Sequence, residues 1–471
     1  MSNDLVSSCR VLYAIGSLDY LWHKLVRTCN LPLGIPLGAD SATLSGQELQ
    51  AIVVNALKLD HNWRNPDAHI QRAIPIIPDA NTSPVDSMHL LPGGKWLFTT
   101  HFICSHSRQY TDLILWCLDD MTSPRSIITI PIDGRFPVCR AYYQPAQHKF
   151  TVAVSSEKDD STESVEVYHI SLDNPAVVTH SESLAIQPVA SDGSLLCVYN
   201  IGNLRICGDI LGATYHQYTM DNVRPCIDAV HIYLRNLVTG ATATFKACDG
   251  NAHHDQIAFE LFRNQYALGC AAPDTFLAHI VSFYDIPPSI ISTDLDSAPN
   301  SDPNTLEGIL SARCRLSHSV WFLYRASSSN LENGIPILNT MTFSGSSWEV
   351  IIDRFSPLDH ETRFISCPTI ASQSSSTHAI MGDHRQLGET GRRAVWVDMG
   401  GDMGGEMMLR KWSASRYRRG KELLAGASVL MPSKSGLPFT LGDICGIAFD
   451  EASCRLCVSL YNGELYVCDF L

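Results

Sequence analysis

From Met88 onward, short runs of apolar, β-branched and aromatic residues alternate with polar turns. This is the rhythm of short strands rather than of helices. Leu90-Leu91-Pro92-Gly93-Gly94-Lys95-Trp96-Leu97-Phe98 reads as strand, tight turn, strand, and Asp112 to Asp119 as a further strand ending in acid. Similar endings recur at Val165 to Tyr168, His231 to Leu234, Ile280 to Asp285, Ala394 to Asp398 and Leu465 to Asp469, with turn dipeptides at Asp192-Gly193, Thr239-Gly240 and Asn462-Gly463. Their spacing is irregular, often about 50 residues, and a four-stranded propeller blade takes about 40–50. The expected fold is therefore mainly β: a small N-terminal helical region followed, over 85–471, by a β-propeller of about seven four-stranded blades. A pair of β-sandwiches is the competing architecture. In a closed ring the last blade has to pair with strands from the start of the domain, expected near Met88 to Phe102.

Before residue 85 the period changes. Ser45 and Glu48 form a capping-box pattern, Leu44 and Leu49 suit a hydrophobic staple, and Leu49, Ile52, Val53, Ala56, Leu57 and Trp63 follow helical spacing until Pro66. This predicts an amphipathic helix over about 46–64 inside a linker spanning 31–84. In 1–30, Leu5, Cys9, Leu12, Leu18, Leu21, Trp22, Leu25 and Val26 suggest two short helices broken near Gly16-Ser17.

Composition narrows the classes. The chain has 471 residues, 45% hydrophobic and 17% charged, enough to bury a large core. A net charge of −14 repels phosphate backbones and speaks against nucleic acid as a partner. No secretory signal is visible at the start, and no apolar run reaches the roughly 20 residues of a membrane span. The 16 cysteines are scattered singly through apolar stretches, as reduced, buried cysteine is. The expected setting is cytoplasm or nucleus, with no membrane partner.

No catalytic pattern stands out in the chain. Cys454 and Cys457 make a CxxC pair, but on a strand their side chains face opposite ways and no second pair stands nearby, so no metal site is expected. The Gly400 to Gly405 run lacks the Gly-Lys-Ser/Thr ending of a phosphate loop. No cofactor is expected. One segment is unusual for so acidic a protein: Arg410, Lys411, Arg416, Arg418 and Arg419, interleaved with Trp412 and Tyr417. The plain reading is a solvated loop; the functional one is a docking patch for an acidic or phosphorylated segment of a target protein.

Cys9-Arg10 followed by Leu21-Trp22-His23-Lys24-Leu25 is similar to the second half of an F-box. The helix ending in Asn62-Trp63-Arg64, the Leu91-to-Leu97 turn with Leu115-Trp116, Gly391 to Trp396, and Ile447 to Glu451 resemble segments of F-box proteins of mushroom-forming fungi. The resemblance implies a non-catalytic substrate receptor of an SCF-type ubiquitin ligase. The F-box would dock on the adaptor subunit (Skp1) of the cullin complex, and the propeller would hold a target protein. Cys9, Arg10, Leu12, Leu21, Trp22 and Leu25 then belong to the adaptor-facing or core positions of the motif. Only eight residues precede Cys9, short of the Leu-Pro helix that opens an F-box, so weakened adaptor docking is expected. The alternative is a propeller interaction scaffold with no ligase connection.

Overall fold

The computed structural model describes residues 18–29, 31–36, 39–65, 70, 72–76, 84–104, 109–120, 124–144, 147–158, 163–172, 177–185, 198–221, 224–249, 258–272, 275–291, 309–315, 322–330, 336–344, 349–355, 385–399, 407–413, 426–431 and 437–470. Two helices, α1 (Asp19–Thr28) and α2 (Gly46–Arg64), precede a succession of antiparallel sheets. Seven sheets are described, six of four strands and one of three, each meandering through consecutive strands except the last. In chain order they occupy 85–133, 135–185, 198–249, 258–315, 322–355, 385–431 and 444–469. The first strand of each sheet lies against the first strand of the next, and the first strand of the last lies against that of the first. The sheets are the blades of a closed β-propeller. Four strands per blade holds in six sheets; the blade over 322–355 shows three among the described residues.

The recurring apolar runs mark equivalent places in the ring. All but one fall on the third strand of their blade; the exception, Ala394 to Asp398, falls on the second strand of its blade. The turn glycines sit where positive φ is needed: Gly93 (+87°), Gly240 (+75°) and Gly463 (+90°).

Closure differs from expectation. The last blade consists of Ile444–Asp450, Arg455–Leu460 and Leu465–Asp469, and its outer strand is Arg72–Ile76, which pairs antiparallel with Leu465–Asp469. The closing strand therefore comes from the 31–84 stretch, not from Met88 to Phe102; Val85–Leu90 instead starts the neighbouring blade. Pro75, opposite Tyr466, is tolerable because an outermost strand needs hydrogen bonds on one side only. Ile76 is buried with Leu465 and Val467 at the seam with the first blade, alongside Leu90 and Leu97.

Blades are joined by polar links between apolar layers. The Ala141 amide donates to His89 Nδ1 (3.3 Å), Arg205 Nε to Glu260 Oε2 (2.9 Å), and Gln386 Nε2 to the Ile447 carbonyl (2.5 Å). Within the first blade, Trp116 Nε1 donates to Thr99 Oγ1 (2.9 Å), which lies 2.9 Å from His101 Nε2, and Asp112 stands opposite His101 in the ladder. This satisfies a set of deeply buried polar side chains.

One link is unfavourably charged. Glu163 accepts the Ile201 amide of the next blade, yet stands directly opposite Glu157 in its own sheet. Burial, opposed by that amide and reinforced by Glu157, pushes its carboxyl up to about 7 from an ordinary 4.5.

Two outcomes follow from this architecture. Deleting residues 1–77 removes the outer strand of the last blade and uncovers the edge of Leu465–Asp469. The shortened chain is expected to lose its cooperative thermal transition or to aggregate; an unchanged melting curve would show that closure does not need this strand. The folded chain keeps the Glu163 proton up to about pH 7, whereas the unfolded chain releases it near 4.5. Its contribution to stability is therefore full below that window and is lost as pH rises through it. Glu163→Gln should reduce the fall in urea midpoint between pH 5 and pH 8 relative to the parent chain.

Candidate interaction site

The turn between Asp450 and Arg455 is the meeting point of the N-terminal helices, the first blade and the last two blades. Asp450 accepts the Ser453 amide (2.8 Å), which fixes the turn, and burial pushes its carboxyl up against the pull of these amide bonds. Glu451 is 2% exposed; its carboxylate accepts the Thr390 amide (2.6 Å) and the Arg392 amide (2.8 Å) from the preceding blade. Gly388 is needed beside it, because a Cβ there would run into the Glu451 carboxylate. Burial raises the Glu451 carboxyl and the Arg393 charge opposes that rise.

Arg393 is 1% exposed. Its Nη1 donates to the Glu451 carbonyl (2.8 Å) and to Cys454 Sγ (2.9 Å), and its Nη2 lies 3.5 Å from Asp60 Oδ1 of α2. On the other side of the turn, Arg455 pairs with Asp469 (2.9 Å) and reaches the carbonyls of Leu118 (3.1 Å) and Gly94 in the first blade.

Helix α2 is seated on this arrangement. Its start is the expected capping box: the Ser45 amide donates to Glu48 Oε2 (2.8 Å) and the Glu48 amide to Ser45 Oγ (3.3 Å). Leu49, Val53, Ala56, Leu59, Asp60 and Trp63 are buried, whereas Leu57, expected on the buried face, points out and Ile52 is half-buried. The Trp63 ring stacks on Phe449 (5.2 Å) and meets the edge of Phe470 (5.7 Å), and its Nε1 donates to the Trp412 carbonyl (3.1 Å). Lys411 Nζ and the Arg393 guanidinium flank the indole at 5.6 and 6.0 Å. Asn62 donates to the Phe470 carbonyl.

The sequence candidates are scattered by this geometry. Lys411 is 1% exposed and donates to the Asn65 carbonyl (2.7 Å), so it is an internal cation of the α2 seat rather than a solvated docking group. Arg410 is half-buried on the same strand, Met407–Ser413, which the basic composition had disguised as loop. Arg416, Arg418 and Arg419 lie outside the described residues, as do Cys9, Arg10 and Leu12. Leu21, Trp22 and Leu25 lie on α1; the first two are half-buried and Leu25 is 37% exposed. Cys454 and Cys457 are fully buried in different apolar clusters, and no group of side chains with metal-ligand geometry occurs among the described residues.

Sequence reasoning missed Asp60, Glu451 and Arg393 as a set. The signal available was that Asn62-Trp63-Arg64, Gly391 to Trp396, Ile447 to Glu451 and the Gly93-Gly94 turn were already singled out by resemblance; all four converge on this one turn. The arrangement can clamp a two-helix unit to the ring.

No family model and no curated protein matches the chain. Among solved structures, Sqt1 from Chaetomium thermophilum aligns over 83% of this chain and 97% of that chain, at 12% identity and a TM-score of 0.36. The Dos1 propeller aligns over 84% of this chain and 81% of that chain, at 11% identity and a TM-score of 0.42. The propeller assignment here rests on strand order and closure.

Truncating either side of the clamp should be costly. Trp63→Ala is expected to lower unfolding stability by about 3–5 kcal/mol through the void it leaves. Arg393→Ala removes a buried cation near the Glu451 carboxylate, leaves the Glu451 carbonyl and Cys454 Sγ without its donor and takes one of two cations from Asp60, and should cost about 3–5 kcal/mol. The double variant should cost less than the sum, because both side chains seat the same helix. Urea unfolding of the three variants checks this; strict additivity would show that the two contacts are independent.

Proposed function

We propose that the chain is a non-catalytic protein-interaction scaffold, a rigid propeller for a target protein with a second docking element at its N-terminal helices. The observation that carries this reading is α1. It is amphipathic, none of its side chains is buried, and Leu18, Tyr20 and Leu25 are exposed. A ten-residue helix is marginal in water by itself. Here it is attached through Asp19, whose carboxylate accepts the Gly46 amide at the start of α2 (2.9 Å). An apolar helix face presented on a rigid mount suits capture by a partner.

The finer reading is a substrate receptor of an SCF-type ubiquitin ligase, with α1 docking the adaptor subunit. The placement of Leu21, Trp22 and Leu25 on one helix supports it, as does their similarity to the end of an F-box. A cytoplasmic or nuclear setting goes with either reading, and no disulfide joins the described cysteines.

Mixing the purified chain with adaptor subunit and cullin separates the two. Co-elution on gel filtration that Leu25→Asp reduces by about tenfold or more would support the receptor. Failure of the intact chain to retain the adaptor would remove the ligase connection and leave the scaffold. Leu25 is exposed, so its substitution should not disturb the circular dichroism melt that accompanies the assay.

A further inference from the structure

The two N-terminal helices are held in different ways. α2 buries Leu49, Val53, Ala56, Leu59 and Trp63, and Asp60, Asn62 and Trp63 reach groups of the last two blades and the Phe470 carbonyl. α1 buries none of its side chains; Leu21, Trp22, His23 and Val26 are half-buried. An element with so little buried surface opens at a lower free energy than the core it lies on. Its two ends are fixed separately. Beyond its C-terminal end the chain is anchored at Pro32, which is buried. At its start the Asp19 carboxylate accepts the Gly46 amide of α2 (2.9 Å).

The Asp19 contact depends on residue 46 having no side chain. Gly46 is buried, and a Cβ there would lie 2.7 Å from the Asp19 Cα and run into the Asp19 carboxylate as well. The carboxylate could rotate away, but the Cα could not. Any side chain at residue 46 therefore has to push the start of α1 off α2. The α2 side of the contact is rigid, because the capping box fixes the first turn and Trp63 and Asp60 fix the far end.

We propose that α1 is a latched arm. The Asp19–Gly46 contact holds it against α2, and on release it opens as a unit, pivoting at its C-terminal end, while α2 and the ring stay folded. This rests on the reading of α1 as a docking element and adds the regulation of that element. The latched arm is ordered before capture. The open arm is a ten-residue helix, marginal in water, that a partner has to order at an entropic cost. A partner that takes the ordered helix therefore closes the latch as it binds, and whatever opens the latch weakens capture.

The test follows the arm in the full chain with no partner present. Lys24 and Arg27 are exposed, so trypsin can reach both once the helix has opened and frayed. Native digestion, with the two cuts quantified by mass spectrometry, then reports the open population. Asp19→Ala, which removes the acceptor, and Gly46→Ala, which leaves the α1 sequence untouched, should each speed these cuts by about tenfold or more. Asp19→Asn keeps an acceptor oxygen and should restore most of the protection. Amide hydrogen exchange should quicken over 19–28 in the two alanine variants and stay unchanged over 49–63, with the main thermal transition where it was. Cutting at the parental rate in both alanine variants would overturn the proposal. So would faster cutting accompanied by equal loss of protection in α2 or by a lower main transition, since α1 would then open only with the rest of the protein. No readout involves the adaptor, so failure of the latch and failure of the adaptor assay are told apart.

Discussion

The last two blades of the ring and the helix seated on them are held together by the buried Glu451 carboxylate with Arg393 against it. Glu451 takes two amides from the preceding blade, Arg393 returns to the Glu451 carbonyl, and the same guanidinium reaches Asp60 on α2. A carboxylate at this depth is tolerable only with its full set of partners. The turn and the neighbouring hairpin are therefore coupled through buried groups, and the helix adds Asp60 to the same cation. Trp63 adds the apolar half of the same contact by filling the space between Phe449, Phe470 and Trp412.

The chain's two ends are joined twice. Arg72–Ile76 pairs with Leu465–Asp469 along the backbone, and α2, a few residues earlier, is tied by side chains to Arg393 of the preceding blade and to the Phe470 carbonyl just after the last strand. Backbone pairing alone would leave a five-residue outer strand with a proline in it as the closure. The helix supplies what that strand cannot, an apolar footprint large enough to make closure cooperative.

The fold was legible where local rules act. Alternating apolar runs, positive-φ glycines and the Ser45–Glu48 box each report a strand, a turn or a helix start from neighbouring residues alone, and the recurring apolar runs fall at nearly equivalent strands. What could not be read was long-range. Arg72–Ile76 is short and isolated, and its partner lies at the far end of the chain. Lys411 reads as solvated because a lone lysine nearly always is; the Trp63 face and the Asn65 carbonyl, both more than three hundred residues away in sequence, help make its burial tolerable. The outward position of Leu57 was missed for a related reason: periodicity identifies an apolar face but not how much of it the neighbouring ring is wide enough to cover.

The segments that resemble F-box proteins deserve a physical reading of their own. Asn62-Trp63-Arg64, the Gly93-Gly94 turn, Gly391 to Trp396 and Ile447 to Glu451 are not spread over a binding surface; they touch one another inside the protein. Gly94 has to lack a side chain because Ser453 lies against it, Gly388 because Glu451 does, and Arg393 and Glu451 answer each other's charge. Residues under such constraints describe how the ring is closed, and any protein that closes a propeller this way would need them, whatever it binds. Their bearing is on architecture. A docking role has to be argued from side chains that architecture leaves exposed, and the exposed large apolar ones of the N-terminal helices are Tyr20 and Leu25 on α1, with Leu18 just before it, and Val54 and Leu57 on α2.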